Sequence, residues 1–214
     1  MQLYSYFRSS AAYRVRIALN LKGLPYDTRP VHLLKDGGQH LLPDYTRLNP
    51  LALIPTLVDG PAVLTQSLAI IEYLEETHPI PPLLPATPIA RAQVRALALS
   101  IACDIHPLNN LRVLRYLKRE LDVPEEARDT WYRHWIQTGL QALEKMLAAS
   151  PETGTYCHGG TPSLADICLV PQLFNARRLK CDLSAMPTLV RIDAACRALP
   201  AFERAAPERQ PDAE

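Results

Sequence analysis

Tyr4-Ser5-Tyr6-Phe7-Arg8-Ser9-Ser10-Ala11-Ala12-Tyr13-Arg14-Val15-Arg16-Ile17-Ala18-Leu19 is the stretch on which the reading of this chain turns. Residues 3–6 alternate as a short strand does, and two serines then open an amphipathic helix. Ser9 or Ser10 can cap that helix by accepting from a free backbone N–H. The same helix start offers partial positive charge and hydroxyl donors, a suitable place to hold a thiolate or another small anion. Taken alone, the serines read first as caps, because caps of this kind are common.

The segment after the helix supplies the rest of an α/β unit. Lys22-Gly23 is a helix stop, and Tyr26 to Leu33 reads as a second strand with Tyr26, Thr28 and Val31 as β-formers. Strand, helix, strand suggests a parallel crossover. A loop holding Gly37-Gly38-Gln39-His40 leads into a weak helical stretch ending near Leu48. Pro55 then stands directly before the strand Thr56 to Val58, and Asp59-Gly60 turns the chain into a returning strand, Ala62 to Leu64. A proline at a strand entry needs a purpose. A cis Ile54–Pro55 bond would be one, turning the Ile54 backbone toward a ligand, although trans is the commoner state. Thr65-Gln66-Ser67 begins a third helix, with Leu68, Ile71 and Leu74 inward and Glu72, Glu75 and Glu76 expected in water. Gln66 and Ser67 therefore sit at a second helix N-terminus suited to a carboxylate, Ser67 doubling as a plausible cap.

The order of strand, Ser-Ser, helix, then Ile-Pro-Thr-Leu, then Gln-Ser leading a helix resembles the glutathione transferase superfamily. Within it, Tyr-Phe-Arg-Ser-Ser, Arg-Val-Arg-Ile-Ala-Leu, Leu-Asn-Pro and Gln-Ser-Leu-Ala-Ile-Ile-Glu-Tyr-Leu-Glu-Glu are similar to the zeta class. The likeness runs along nearly the whole chain. It implies a thioredoxin-like α/β N-terminal domain, residues 1–82, followed by an all-α helical domain, residues 88–214. One departure is Ala11, where the family commonly has Cys after the two serines, so Ser9 must serve without that thiol.

His78-Pro79-Ile80-Pro81-Pro82-Leu83-Leu84-Pro85 cannot form a regular helix and reads as a stiff linker at the domain boundary. Beyond it Val94, Leu97, Ile101 and Ile105 recur with a helical period, and Pro107 predicts a kink near Cys103 to His106. Asp104, His106, Asn109, Asn110 and Arg112 cluster around that kink. Glu125 to Ala149 reads as a long helix with Tyr132, Ile136, Leu140, Leu143 and Leu147 as its inner stripe; Trp131 and Trp135 read as packing. Thr161 to Asp166 is a helix start with a Ser-x-x-Asp capping pattern, and that helix ends at Asn175-Ala176-Arg177-Arg178. Met186-Pro187 starts a last helix to about Leu199, and the polar tail 207–214 is expected to be partly ordered at best.

Composition excludes several functions. The 214 residues carry 23 Lys and Arg against 22 Asp and Glu, a formal charge of +1 that gives no support to a nucleic-acid or anionic-membrane partner. No apolar run approaches a membrane span, and the opening strand and Arg-bearing helix lack a secretory leader pattern. Five scattered cysteines without a CxxC fit reduced thiols in the cytoplasm, and neither they nor the six histidines have metal-ligand spacing.

The resemblance also implies a chemistry. Glutathione would be the cofactor, contacted at the positions of Ser9, Ser10, His40, Ile54, Gln66, Ser67, His106, Asn110 and Arg112. Ser9, Ser10 and Arg178 would be catalytic, and Arg8, Arg112 and Arg178 would meet the carboxylates of a small dicarboxylate-type substrate. The implied reaction is cis–trans isomerisation of maleylacetoacetate to fumarylacetoacetate, in tyrosine and phenylalanine breakdown, by thiolate addition, rotation and elimination. Isomerisation of maleylpyruvate, or general transfer of glutathione to small electrophiles and α-halo acids, fits the same residues. A glutathione-binding protein without turnover is the reading from another class. The superfamily likeness further implies a homodimer.

Overall fold

The computed structural model describes residues 1–214 and divides them into two compact units. The first comprises residues 1–83 and 198–214; the second comprises residues 84–197.

In the first unit β1 (Gln2–Ser5) leads through a short loop into α1 (Ser10–Leu21) and back to β2 (Asp27–Pro30). β1 and β2 pair in parallel, with Leu3 opposite Thr28, as the strand-helix-strand order predicts. β3 (Thr56–Asp59) runs antiparallel to β1, and β4 (Ala62–Thr65) returns antiparallel to β3, giving the strand order β2-β1-β3-β4. Between β2 and β3 lie two single 3-10 turns and the four-residue helix α2 (Pro43–Thr46). α3 (Ser67–Thr77) follows the hairpin. Leu3, Leu57, Ile17, Ile70 and Leu74 are fully buried where α1 and α3 cover the sheet. A second cluster, Tyr6, Phe7, Val31, Tyr45 and Ile54, packs beneath the loop that precedes α1.

Sequence expectations change here at Glu75, at the tail and at the domain boundary. Glu75, which its sequence pattern puts in water, is buried: its carboxylate accepts from Lys22 Nζ at 2.8 Å and from the Leu83 N–H at 2.9 Å. Lys22 Nζ also donates to the carbonyls of His78 (2.7 Å) and Pro81 (3.0 Å), so this pair pins the proline-rich linker. The tail is ordered, because the polar groups expected to hold it in water have partners. Asp212 Oδ2 accepts from the Phe7 N–H at 3.0 Å, Glu214 pairs with His32 (3.3 Å) and with Lys35, and the Gln210 amide donates to the carbonyls of Arg204 and Ala206. The expected boundary of 88–214 also differs at its end. After Leu199 the chain forms one more helix, α9 (Pro200–Ala205), whose buried Phe202 and Ala205 face α1.

The second unit is helical: α4 (Pro88–Leu99), α5 (Leu111–Arg119), α6 (Glu125–Ala149), α7 (Leu164–Arg178) and α8 (Pro187–Arg197). The kink expected at Pro107 takes a definite form. A π-helical stretch, Ser100–Ile105, widens the end of α4, and a 3-10 turn, His106–Asn109, follows it. Gly139 on α6 lets that stretch come close, since a Cβ there would lie 2.3 Å from Ile105 Cγ1. The periodic residues named from sequence, Val94, Leu97, Ile101 and Ile105 on one run and Tyr132 to Leu147 on α6, are buried as their spacing requires. Asp166 accepts from the N–H and hydroxyl of Ser163 at 2.8 Å and from the Cys157 N–H at 2.8 Å, completing the start of α7. No helix is long and apolar enough to cross a membrane.

Candidate functional site

The start of α1 is built by local hydrogen bonds. The Ser9 N–H donates to the Tyr6 carbonyl at 2.9 Å, which turns the chain out of β1. Ser9 Oγ then accepts from the Ala12 N–H at 3.2 Å, so Ser9 is the cap and Ser10, which is buried, is the first helical residue. A hydroxyl has one donor and two acceptor sites, so capping uses one lone pair of Ser9 and leaves its proton to give. The two readings of Ser9 are therefore compatible. Arg8 precedes it, exposed, with Nη2 donating to Tyr6 Oη at 2.9 Å and its guanidinium 5.1 Å from the Phe7 ring centroid. Both contacts hold the charge near the helix start without neutralising it.

The Ile54 segment is set by two donors on the preceding carbonyl. Tyr45 Oη donates to the Leu53 carbonyl at 2.6 Å and Asn49 Nδ2 donates to it at 2.7 Å. The Ile54–Pro55 bond is cis. The β1–β3 ladder begins at the Tyr4–Thr56 pair, so the Ile54 N–H and C=O stand outside it, available to an extended peptide.

At the start of α3, Gln66 is the N-cap residue, with φ 66° and no side-chain bond to the helix. Ser67 is thus not the cap; it is the first helical residue, and its hydroxyl accepts from Arg14 Nη1 at 3.3 Å. Arg14 lies on α1 and is almost wholly buried, so a cation sits behind a helix N-terminus whose first turn no side chain caps. Sequence reasoning missed Arg14. The available signal was an arginine at positions 14 and 16 in an otherwise apolar helix. His40 is buried on the second 3-10 turn, and Gly38 makes room for it: with φ 115°, a Cβ at Gly38 would lie 2.5 Å from His40 Cε1.

In the second unit, His106 opens the 3-10 turn after the π-helical stretch and is half-buried. Asn110 is the cap of α5: its Oδ1 accepts from the Arg112 N–H at 3.0 Å, so the oxygen is committed and the amide N–H groups remain. Arg112 is exposed on the first turn of α5. Arg178 is fixed by a different pair of helices. Its guanidinium lies 5.7 Å from the Tyr132 ring centroid and Nη2 donates to Tyr132 Oη at 3.3 Å. Burial pushes the Tyr132 phenol up, and the Arg178 charge opposes that. Arg177, next to it, is spent on the fully buried Asp193 at 2.6 Å, a carboxylate that Arg197 also holds. Arg8, Arg112 and Arg178 have no carboxylate of their own chain as a partner.

These donors match a tripeptide with a thiol, two carboxylates and a peptide backbone. The hydroxyl proton of Ser9 suits a sulfur anion, the uncapped α3 start a carboxylate, and the unpaired Ile54 edge a peptide group. A family model described as glutathione S-transferase, N-terminal domain, matches residues 8–77, and one described as glutathione S-transferase, C-terminal domain, matches residues 125–208. The chain belongs to the glutathione S-transferase family. More particularly, it is 57% identical over 211 residues to a probable maleylacetoacetate isomerase of Vibrio cholerae, covering 99% of this chain and 97% of that one. A solved holo structure of a bacterial zeta-class maleyl pyruvate isomerase is similar at 50% identity, with a TM-score of 0.97 and 100% of both chains covered. The maleylacetoacetate isomerase of Methylobacterium extorquens AM1, solved with malonate and glutathione bound, is similar at 43% identity, with a TM-score of 0.96 and again 100% of both chains.

Proposed function

We propose that this chain is a glutathione-dependent isomerase that converts maleylacetoacetate to fumarylacetoacetate. The observation that carries the reading is the set of three arginines, Arg8, Arg112 and Arg178, which stay unpaired with any carboxylate of their own chain. Such charges suit a dicarboxylate and the negative charge that develops on its oxygens during the reaction. When bound, glutathione supplies the nucleophilic sulfur for reversible addition across the cis double bond. Ser9 donates its hydroxyl proton toward that sulfur, and Ser10 adds the field of the α1 start. Together they favour the anion; lowering a thiol by about two units corresponds to about 2.7 kcal/mol. Gln66 and Ser67 hold the γ-glutamyl carboxylate, Ile54 pairs with the cysteinyl backbone, and His40, His106, Asn110 and Arg112 complete the binding of the tripeptide. Arg8, Arg112 and Arg178 bind and orient the substrate carboxylates.

Maleylpyruvate is the second reading, favoured by the likeness to the maleyl pyruvate isomerase structure. The same residues serve either substrate. The reading carries homodimeric assembly by likeness to the family, and a cytoplasmic compartment, which five cysteines without a disulfide suit.

The test is turnover of purified protein on maleylacetoacetate and on maleylpyruvate, each with and without glutathione, in wild type and in the Ser9→Ala and Ser10→Ala variants. Turnover is expected to need glutathione. Loss of the sulfur's hydroxyl donor should lower kcat by about 10²–10³-fold while glutathione affinity changes only several-fold. Glutathione-independent turnover, or full kcat in both serine variants, contradicts the reading.

A further inference from the structure

The loop that delivers Ser9 and Ser10 to the helix start is held by the far end of the chain. The Phe7 backbone is held at both ends: its N–H donates to Asp212 Oδ2 at 3.0 Å, and its carbonyl accepts from Arg16 Nη2 at 3.0 Å. Arg16 is fully buried, and burial pushes its guanidinium down to about 10. Its remaining donors go to Ser5 Oγ (3.0 Å), the Tyr6 carbonyl (3.4 Å) and the Ala205 carbonyl of α9 (3.0 Å). The Tyr6 carbonyl is the same acceptor that receives the Ser9 N–H. Residues 5–7 therefore hang from one guanidinium inside α1 and one carboxylate in the tail, and Ser9 hangs from them through the Tyr6 carbonyl. The tail is itself tied down by Gln210, through the carbonyls of Arg204 and Ala206, and by Glu214, through His32 and Lys35.

The helix α1 does not need Asp212 in order to form, since Ser9 already caps it. What Asp212 adds is a fixed orientation of the peptide two residues before that cap, and misplacing a catalytic group by a fraction of an ångström is expensive in rate. We propose that Asp212 is a positioning residue for the thiolate site: by holding the Phe7 N–H it fixes the turn that aims Ser9 and Ser10, so the last segment of the chain sets how fully the sulfur of bound glutathione is ionised. The inference rests on the proposed role of the two serines.

The experiment is a titration of the bound thiol, followed by its ultraviolet thiolate absorbance, in full-length wild type, Asp212→Ala, Asp212→Asn and the two serine variants. Asp212→Ala is expected to raise the thiol pKa by about 0.5–1 unit and to lower kcat about 3–10-fold, with KM for glutathione changed less. Asp212→Asn keeps an oxygen for the Phe7 N–H and should stay within about twofold of wild type. If Asp212→Ala yields little folded protein, Gln210→Ala loosens the same tail, and a rise in the same direction is expected. A wild-type thiol pKa in the folded tail variants, while a serine variant raises it, overturns the role of Asp212 alone. A wild-type pKa in both serine variants overturns the thiolate reading on which it rests. A lower melting temperature in Asp212→Ala without a shift of the thiol reduces Asp212 to packing and likewise overturns the proposal.

Discussion

Replacing Glu75 by alanine should cost this protein about a fifth or more of its stability, although a sequence pattern puts that side chain in water. The Lys22 ammonium has no exposed side-chain surface, and the Glu75 side chain is 8% exposed, with 2.8 Å between nitrogen and oxygen. Removing the carboxylate leaves the ammonium with only the His78 and Pro81 carbonyls and leaves the Leu83 N–H without its acceptor. Breaking a buried pair by deleting one partner costs about 3–5 kcal/mol. A domain's whole stability is typically about 5–15 kcal/mol. Glu75→Gln keeps an oxygen for the Leu83 N–H and should recover only about 1 kcal/mol of the loss. The double variant Lys22→Met/Glu75→Leu should recover more than either single change. An apolar pair of similar volume carries no stranded charge, although it still orphans the His78 and Pro81 carbonyls and the Leu83 N–H, among other groups. Urea unfolding of the four proteins measures this, with the slope compared to check that the unfolded reference is the same. A loss below about 1 kcal/mol in Glu75→Ala at unchanged slope would refute the account, because it would mean that water reaches the ammonium.

Gly139→Ala should destabilise by about 1–3 kcal/mol, since its Cβ would lie 2.3 Å from Ile105 Cγ1. Combined with Ile105→Ala, the two effects should fall short of additive by about 1 kcal/mol or more in urea unfolding; strict additivity would deny the contact. The adjacent arginines at the end of α7 should separate cleanly. Arg178→Ala is expected to lower kcat/KM for the dicarboxylate about 10–100-fold with little change in melting temperature. Arg177→Ala, which strips one partner from the buried Asp193, is expected to lower stability by about 1–3 kcal/mol and keep turnover per folded molecule. The reverse pattern would exchange their roles.

The parts of this molecule that follow from local chemistry were legible in its residues. A serine cap at position 9 or 10, the parallel crossover, the Asp59-Gly60 hairpin and the irregular helix before Pro107 each depend on a few neighbouring side chains, and each is found, the cap at Ser9. The parts set by contacts distant in sequence were not. Glu75 lies four residues after Ile71 and so shares its inward face, but the partner that makes burial of a carboxylate tolerable, Lys22, stands just past the end of α1. The tail reads from sequence as partly ordered at best because its polarity is answered by Phe7, His32 and Lys35, nearly the whole chain away. The candidate site divides in the same way. The serines, Ile54, Gln66 and the arginines of the motifs stand out by motif and resemblance, whereas Arg14, Arg16 and Asp212 act from behind: the first two show only as charges in an apolar helix, and Asp212 shows no pattern of its own.

The first unit is made from both extremities of the polypeptide, with residues 198–214 closing on residues 1–83. A ribosome releases chain from the amino end, so the sheet, α1 and α3 emerge long before the segment that covers them. Until α9 arrives, the surface of α1 destined for Phe202 and Ala205 has nothing to rest against, and the Arg16 guanidinium lacks its Ala205 acceptor. The nascent front half must therefore wait for residues 198–214 before it matures. A premature stop anywhere in the helical region removes α9 and so strips α1 of its cover and Arg16 of the Ala205 acceptor.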